Sequence, residues 1–336
     1  MLVPVGGGKD SVVTLETLRK AKKDVVCFAL NLNSAAQKIM KMASMSSPQV
    51  AGCRKPVIVE RKIDKKLLEL NRKGFLNGHT PFSAYLAFLS ILVAVIFDYK
   101  GIAFSNERSS NEGNVKYLGK IVNHQYSKSF DFEEKFRDYS KKYLAKNVEY
   151  FSFLRPLYEI QISKLFSKHS KYFNAFLSCN RAFKTYSGRE KPTGKWCGNC
   201  PKCLFIFAIL YPFVDEKKLI EIFGQNLFEN RKLLPLMQEL IGEKGFKPFE
   251  CVGTKKESQV ALLLSLKIVR GRASYKSYKL PYILRYFEKK ILPKYPNLER
   301  EAKKIMNSWS NQHNLPKEFE KILKRTQLLT NFVEVL

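Results

Sequence analysis

Residues 3–18 read VPVGGGKDSVVTLETL. A β-prone run enters three glycines, then Lys9, Asp10 and Ser11, then apolar residues at helical spacing. This order predicts a strand, a turn and a helix N-terminus. Such a junction suits an anion, because unpaired backbone N–H groups point outward and the helix dipole favours negative charge. Gly6, Gly7 and Gly8 place no Cβ between the backbone and phosphate oxygens. Lys9 adds a cation and Ser11 a hydroxyl. Asp10 would repel phosphate unless Mg²⁺ bridged the two, which makes a metal-bound nucleotide the expected ligand. The spacing is neither GxxxxGK[ST] nor GxGxxG.

Working outward, short β-branched runs alternate with helical stretches over the first 150 residues, the pattern of parallel βαβ units in an α/β fold. Strands are expected at Val3–Val5, Asp24–Asn33, Pro56–Ile63 and Gly101–Glu107, and helices at Ser11–Ala21 and Ser34–Ala43. Ligands of parallel sheets sit beyond the carboxyl ends of the strands, so Gly6–Ser11, Asn31–Asn33 and Ser105–Arg108 are expected to line one site. From about Pro212 the pattern is helical. The expected organisation is a nucleotide-binding domain over 1–211 and a helical domain over 212–336.

The chain has 59 Lys+Arg against 30 Asp+Glu, a formal charge of +29. That field favours anionic partners, either small phosphorylated molecules or polyanions. Forty-four of the basic residues are lysines spread along the chain, as solvated helix faces would place them. The densest patch, Lys267–Lys294, interleaves Tyr275, Tyr278, Tyr282 and Tyr286. A run of 18 uncharged residues, Thr80–Phe97, has the length of a membrane span but no basic flank before it. It reads instead as a central helix buried in the α/β core, with no membrane partner. No secretory signal opens the chain and the cysteines are clustered or scattered, so a reduced, cytoplasmic setting is expected.

In WCGNCPKCLF, Cys197, Cys200 and Cys203 have the spacing of a metal knuckle, and Cys179 in SCNRAF is the natural fourth ligand. A closed Cys₄ site predicts structural Zn²⁺. Three further segments are too polar for scaffold alone: NGHTPFSA (77–84), SNERSSNEGN (105–114) and VNHQYSKSFDFE (122–133). Glu107, Arg108 and Glu112 offer metal, carboxylate and phosphate contacts, and His79 and His124 offer acid–base groups. Cys251, in KPFECVG, offers a thiol.

The loop GGGKDS resembles the SGGxDS loop of the PP-loop ATP pyrophosphatases, with Gly6 replacing the usual serine. The cysteine knuckle is similar to that of the 7-cyano-7-deazaguanine synthases of the same superfamily. In order, GGGKDS, NGHxP, SNERSxxEGN, VNHQxSKS, the knuckle and KPFECVG resemble the MurL-type UDP-N-acetylmuramoyl-L-alanyl-L-glutamate epimerases. The resemblance implies a PP-loop (HUP-type) sheet, ATP and Mg²⁺ at Gly6–Ser11, and an anionic UDP-muramoyl dipeptide whose terminal glutamate is inverted through an acyl-adenylate. Asp10, His79, Glu107, His124 and Cys251 are then the catalytic candidates. Asn77, Asn106, Arg108, Glu112, Asn123 and Lys128 are the candidates for substrate. Family members are longer at the N-terminus, which matches the short first strand. Two alternatives keep the loop and differ in activity. One is an adenylating enzyme that modifies tRNA, using the basic patch as a platform; the other is a silent nucleotide-binding module.

Overall fold

The computed structural model describes residues 1–45, 52–75, 81–183, 193–271 and 279–329. In chain order the first elements are β1 (Leu2–Pro4), α1 (Lys9–Lys20), β2 (Val26–Leu30), α2 (Ser34–Ser44), β3 (Arg54–Val59), α3 (Lys65–Arg72), α4 (Phe82–Ile96) and β4 (Gly101–Phe104). A small antiparallel ribbon, β5 (Val115–Tyr117) and β6 (Lys120–Val122), precedes α5 (Phe130–Tyr139), β7 (Glu149–Ser152) and α6 (Glu159–Ser167). The remainder is helical: α7 (Pro201–Leu210), α8 (Glu216–Phe223), α9 (Leu234–Ile241), α10 (Lys255–Gly271), α11 (Tyr282–Tyr286), α12 (Leu298–Met306) and α13 (Lys317–Leu328).

The five-stranded sheet runs β3-β2-β1-β4-β7, with every pairing parallel. β1 is therefore the switch strand, where chain order reverses and a crevice opens beyond the carboxyl ends. Successive side chains of a strand face opposite layers. Val3, Cys27, Ala29, Ala103 and Phe151 join the larger core with α1, α2, α6, α7 and α10. Leu2, Val26, Phe28, Ile102, Phe104 and Tyr150 face the smaller core under α4 and α5. The α/β class and the four expected strands are present. β7, the ribbon β5–β6 and α3 are additions to the sequence reading.

One expectation is corrected. α4 is not a central buried helix. Ala87, Ser90, Ile91 and Ala94 turn inward, whereas Phe88, Leu92 and Ile96, on the opposite stripe, are 45%, 55% and 65% exposed. Only one helix layer covers this side of the sheet, so half of α4 faces outward. Among the described residues no helix is long and apolar enough to cross a membrane.

Candidate functional site

The three glycines do different things. Gly7 has φ +96°, and a Cβ there would lie 2.9 Å from the Cβ of Ala35 and 3.0 Å from the amide of Ala36. Only glycine fits between the loop and α2. Gly6 has open space around its Cα, and its carbonyl accepts from Asn33 Nδ2 at 3.1 Å. Gly8 caps α1 without any side-chain hydrogen bond, so the first amides of that helix are not satisfied by a cap. Ser11 Oγ turns back to the Gly8 carbonyl at 2.8 Å.

Beyond β1, β2 and β3 lies a cavity of about 760 Å³, lined by Gly6, Asn31, Asn33, Arg61, Phe82 and Phe183 among others. Beyond β1, β4 and β7 lies a cluster of buried charges. The loop joins the two. Lys9 is 1% exposed and ion-paired with both Asp10 and Glu159. It is therefore not the open cation expected from the sequence. Burial opposes its charge, but Asp10 and Glu159 hold it above the ordinary lysine range. Glu159 also lies 3.8 Å from Lys202 Nζ, and despite its burial Lys9 and Lys202 hold its carboxyl below the usual value. Asp10 is raised, by burial first and then by the charge of Glu159. Its Oδ1 meets Lys9, while Oδ2 has no protein partner among the described residues.

Glu107 follows β4 and is 4% exposed. Burial, followed by Glu159 and Asp10, pushes its carboxyl up to about 7, with Lys128 opposing. Lys128 Nζ donates to Cys251 Sγ at 3.4 Å. Lys128 is raised above the ordinary lysine range, first by Cys251, with Glu107 and Asp10 adding to it against burial. Lys202 Nζ donates to the Cys251 carbonyl, and the Lys202 amide donates to Glu250 Oε2 at 3.1 Å. Cys251 is thus held at both its backbone and its sulfur by lysines.

Three sequence motifs meet around that cysteine. Asn114 Nδ2 donates to the Pro248 carbonyl at 2.7 Å and its Oδ1 accepts from the His124 amide at 2.8 Å. Gln125 Nε2 donates to the Val252 carbonyl at 3.1 Å. Glu112 accepts from the Lys255 amide at 3.0 Å and pairs with Lys247 at 3.4 Å. Below them Arg155, 0% exposed, donates to Glu133, Ser110, Ser152 and the carbonyls of Glu107 and Lys128. This single guanidinium fixes the backbone of Glu107, a catalytic candidate, and of Lys128, a substrate candidate.

Several candidates are therefore tied to the scaffold. Asn106 Nδ2 donates to Ser152 Oγ at 3.1 Å, and the Asn123 amide is engaged with Ser110 and Gln125. Glu112 binds the 247–255 segment. Arg108, a partly buried residue, lies over the Tyr158 ring at 4.4 Å in a cation–π contact. The His124 ring packs edge-on against Phe249 at 6.1 Å. Asn77 and His79 lie outside the described residues, as do Tyr275 and Tyr278 of the basic patch. Within that patch Lys267, Arg270 and Lys294 pair with Glu299, Glu288 and Glu243.

The sequence reading missed Glu159, Lys202, Arg155 and Ser178. The first two carry the charge balance of the loop. Ser178 Oγ is buried with no hydrogen-bond partner among the described residues, and its Cβ borders Gly8. An orphaned hydroxyl and uncapped amides at one place fit an anion.

Cys179, Cys197, Cys200 and Cys203 place their sulfurs within 4.8 Å of one another, a group able to hold a metal ion. Three of the separations are 3.9, 3.6 and 3.5 Å. Four thiolates at about 2.3 Å around one zinc stand about 3.8 Å apart, so the arrangement fits that ion.

Comparisons with known proteins point to one family. Residues 1–153 match the family model of the MurL N-terminal domain, and residues 175–277 that of the MurL C-terminal domain. A Micromonospora protein named UDP-N-acetyl-alpha-D-muramoyl-L-alanyl-L-glutamate epimerase is 37% identical over 263 residues, covering 78% of this chain and 56% of that one. A protein of the same name from Xanthomonas oryzae pv. oryzae is 34% identical over 315 residues, covering 94% and 66%. One from Salinispora tropica is 36% identical, covering 78% and 55%. The chain thus spans between 55% and 66% of the length of these relatives. With both domain models matched in sequence order around the site just described, the chain belongs to the MurL family.

Proposed function

We propose that this chain inverts the terminal L-glutamate of UDP-MurNAc-L-Ala-L-Glu to D-glutamate at the expense of ATP, a step in making peptidoglycan precursors. The observation that carries this reading is the glycine loop set against a buried charge cluster, in a chain whose relatives bear the epimerase name. A free carboxylate makes the neighbouring C–H a poor acid, because deprotonation builds a second negative charge beside the first. In this reading the glutamate α-carboxylate displaces pyrophosphate from ATP and becomes an acyl-adenylate, which removes that charge. The Cα proton then leaves and returns on the other face, and water releases AMP.

The chain's residues have matching roles. The amides of Gly8 and the first turn of α1, with Ser178 Oγ, would hold pyrophosphate oxygens. The unpartnered oxygen of Asp10 suits Mg²⁺, which would offset the charge of the departing phosphate. The cavity beyond β1 and β2 has room for the nucleoside. Arg108, stacked on Tyr158, suits a substrate carboxylate or phosphate. The four cysteines would hold a structural Zn²⁺, in a PP-loop type domain working in the cytoplasm.

The test combines the chain with ATP, Mg²⁺ and UDP-MurNAc-L-Ala-L-Glu, with AMP quantified and glutamate configuration read by chiral chromatography after acid hydrolysis. AMP together with D-glutamate supports the reading. ATP left intact by folded, zinc-loaded protein overturns it for this chain.

A further inference from the structure

Inversion needs a group to take the Cα proton and a group to return one from the other side. The described site holds few that can. Lys9 and Lys202 offset the charges of Asp10 and Glu159. Glu112 binds the Lys255 amide and Lys247, and Glu257 accepts from the amides of Thr254 and Ile160. The group around Lys128 brings two of the catalytic candidates to one ammonium. Its ammonium meets the Cys251 sulfur at 3.4 Å, and Glu107, from a different loop, bears on the same ammonium. The charged groups facing Cys251 are Lys128 at its sulfur, Lys202 at its carbonyl and Glu250 beside it in the chain. An ammonium at the sulfur is a partner for a thiolate, the form of cysteine that accepts a proton. Glu107 is buried, and Arg155 pins its backbone carbonyl at 2.7 Å.

We infer that Cys251 and Glu107 are the two acid–base groups that invert the glutamate Cα, with Lys128 holding the thiolate between turnovers. This assignment rests on the epimerase reading above. The Cys251 thiolate takes the Cα proton of the activated L-glutamate and becomes a thiol. The electron pair of the C–H bond moves into the acyl carbonyl and gives an enolate. The Glu107 carboxylic acid then donates its proton to the opposite face, the enolate collapses to the carbonyl, and Glu107 is left as a carboxylate. Lys128 passes one proton to that carboxylate and takes one from the thiol, which restores the starting state. A carboxyl whose protonation midpoint lies at about 7 is matched to this proton transfer near neutral pH.

The test uses the full zinc-loaded chain with Cys251→Ala, Cys251→Ser and Glu107→Gln variants in D₂O. AMP release, deuterium at the glutamate Cα and configuration are followed together. For both Cys251 variants AMP release is expected to fall less than about tenfold, while Cα exchange from the L-substrate falls at least about 100-fold. Glu107→Gln is expected to exchange the L-substrate Cα with retention and to leave the D-isomer unexchanged, a signature that a merely structural role does not produce. Inversion by either Cys251 variant at the wild-type rate overturns the assignment. So does an equal loss of AMP release and exchange in both. If the wild-type chain makes no AMP from this dipeptide, the epimerase reading fails instead, and alkylation tests the thiolate separately. Iodoacetamide at pH 7 should modify Cys251 at least about tenfold more slowly in Lys128→Met than in wild type. Equal rates overturn the Lys128–Cys251 pairing.

Discussion

Lys9 and Glu159, 150 positions apart in the sequence, meet as an ion pair whose side chains are 1% and 3% exposed. The contact welds the glycine loop after β1 to the start of α6 across the switch crevice. It also leaves each partner dependent on the other for its charge.

Lys9→Met should therefore cost about 3–5 kcal/mol, because Glu159 and Asp10 would keep buried negative charge with less compensation. The double variant Lys9→Met/Glu159→Leu should recover much of that loss. Urea unfolding of the two single variants and the double variant measures the coupling. A double-variant cost equal to the sum of the singles would show that the pair contributes nothing.

Glu107 makes stability depend on pH. Its folded-state carboxyl sits near 7 against an ordinary value of 4.5, so between those values the folded chain keeps a proton that the unfolded chain releases. Stability attributable to this group falls as pH rises through that window and is level above it. Relative to wild type, Glu107→Gln should gain on the order of 3 kcal/mol above pH 7 and little at pH 4.5. Urea midpoints at pH 5 and pH 8 report the difference. An unchanged gap between the two would mean that the buried proton is not on Glu107.

Metal analysis of the purified chain should find one zinc per molecule, held by Cys179, Cys197, Cys200 and Cys203. Cys200→Ser, at a fully buried cysteine of that cluster, should lose the ion and at least ~4 kcal/mol of stability. Mass spectrometry under native conditions and thermal unfolding check both parts. Retention of zinc by Cys200→Ser with an unchanged melting temperature would remove the cluster from the account of folding.

Gly7→Ala should destabilise the chain by about 1–3 kcal/mol, since it places a side chain at φ +96° and 2.9 Å from Ala35. It should also weaken nucleotide binding, measured by calorimetry, because the loop must shift away from α2. Gly6→Ala meets no neighbouring atom within 4 Å and should leave stability within about 0.5 kcal/mol.

The sequence showed what local chemistry can show. Glycines before a helix marked the loop, and cysteine spacing marked the knuckle. Alternating apolar runs located β1 to β4 to within a few residues. β7 and its site residues were less visible because EYFSFLRPLYEI mixes Glu149, Arg155 and Glu159 into an apolar run. A charged residue reads as exposed unless its partner is known, and those partners, Glu133 and Lys9, lie far away in the chain. The same limit misplaced Lys9, which looked free beside phosphate and is enclosed between two carboxylates. For α4, eighteen uncharged residues could not reveal that only one stripe of the helix has a sheet to lie on.

That outward stripe of α4 has a colloidal consequence. Phe88, Leu92 and Ile96 form a sticky line on a molecule carrying a formal +29, so copies repel at long range and attract on contact. At low ionic strength the repulsion extends about 30 Å and keeps the stripes apart, whereas at 1 M salt it shrinks to about 3 Å. Sulfate would both screen the charge and strengthen apolar contact. The shelf life of this protein in solution should thus depend on the counter-ions around it as well as on its own fold.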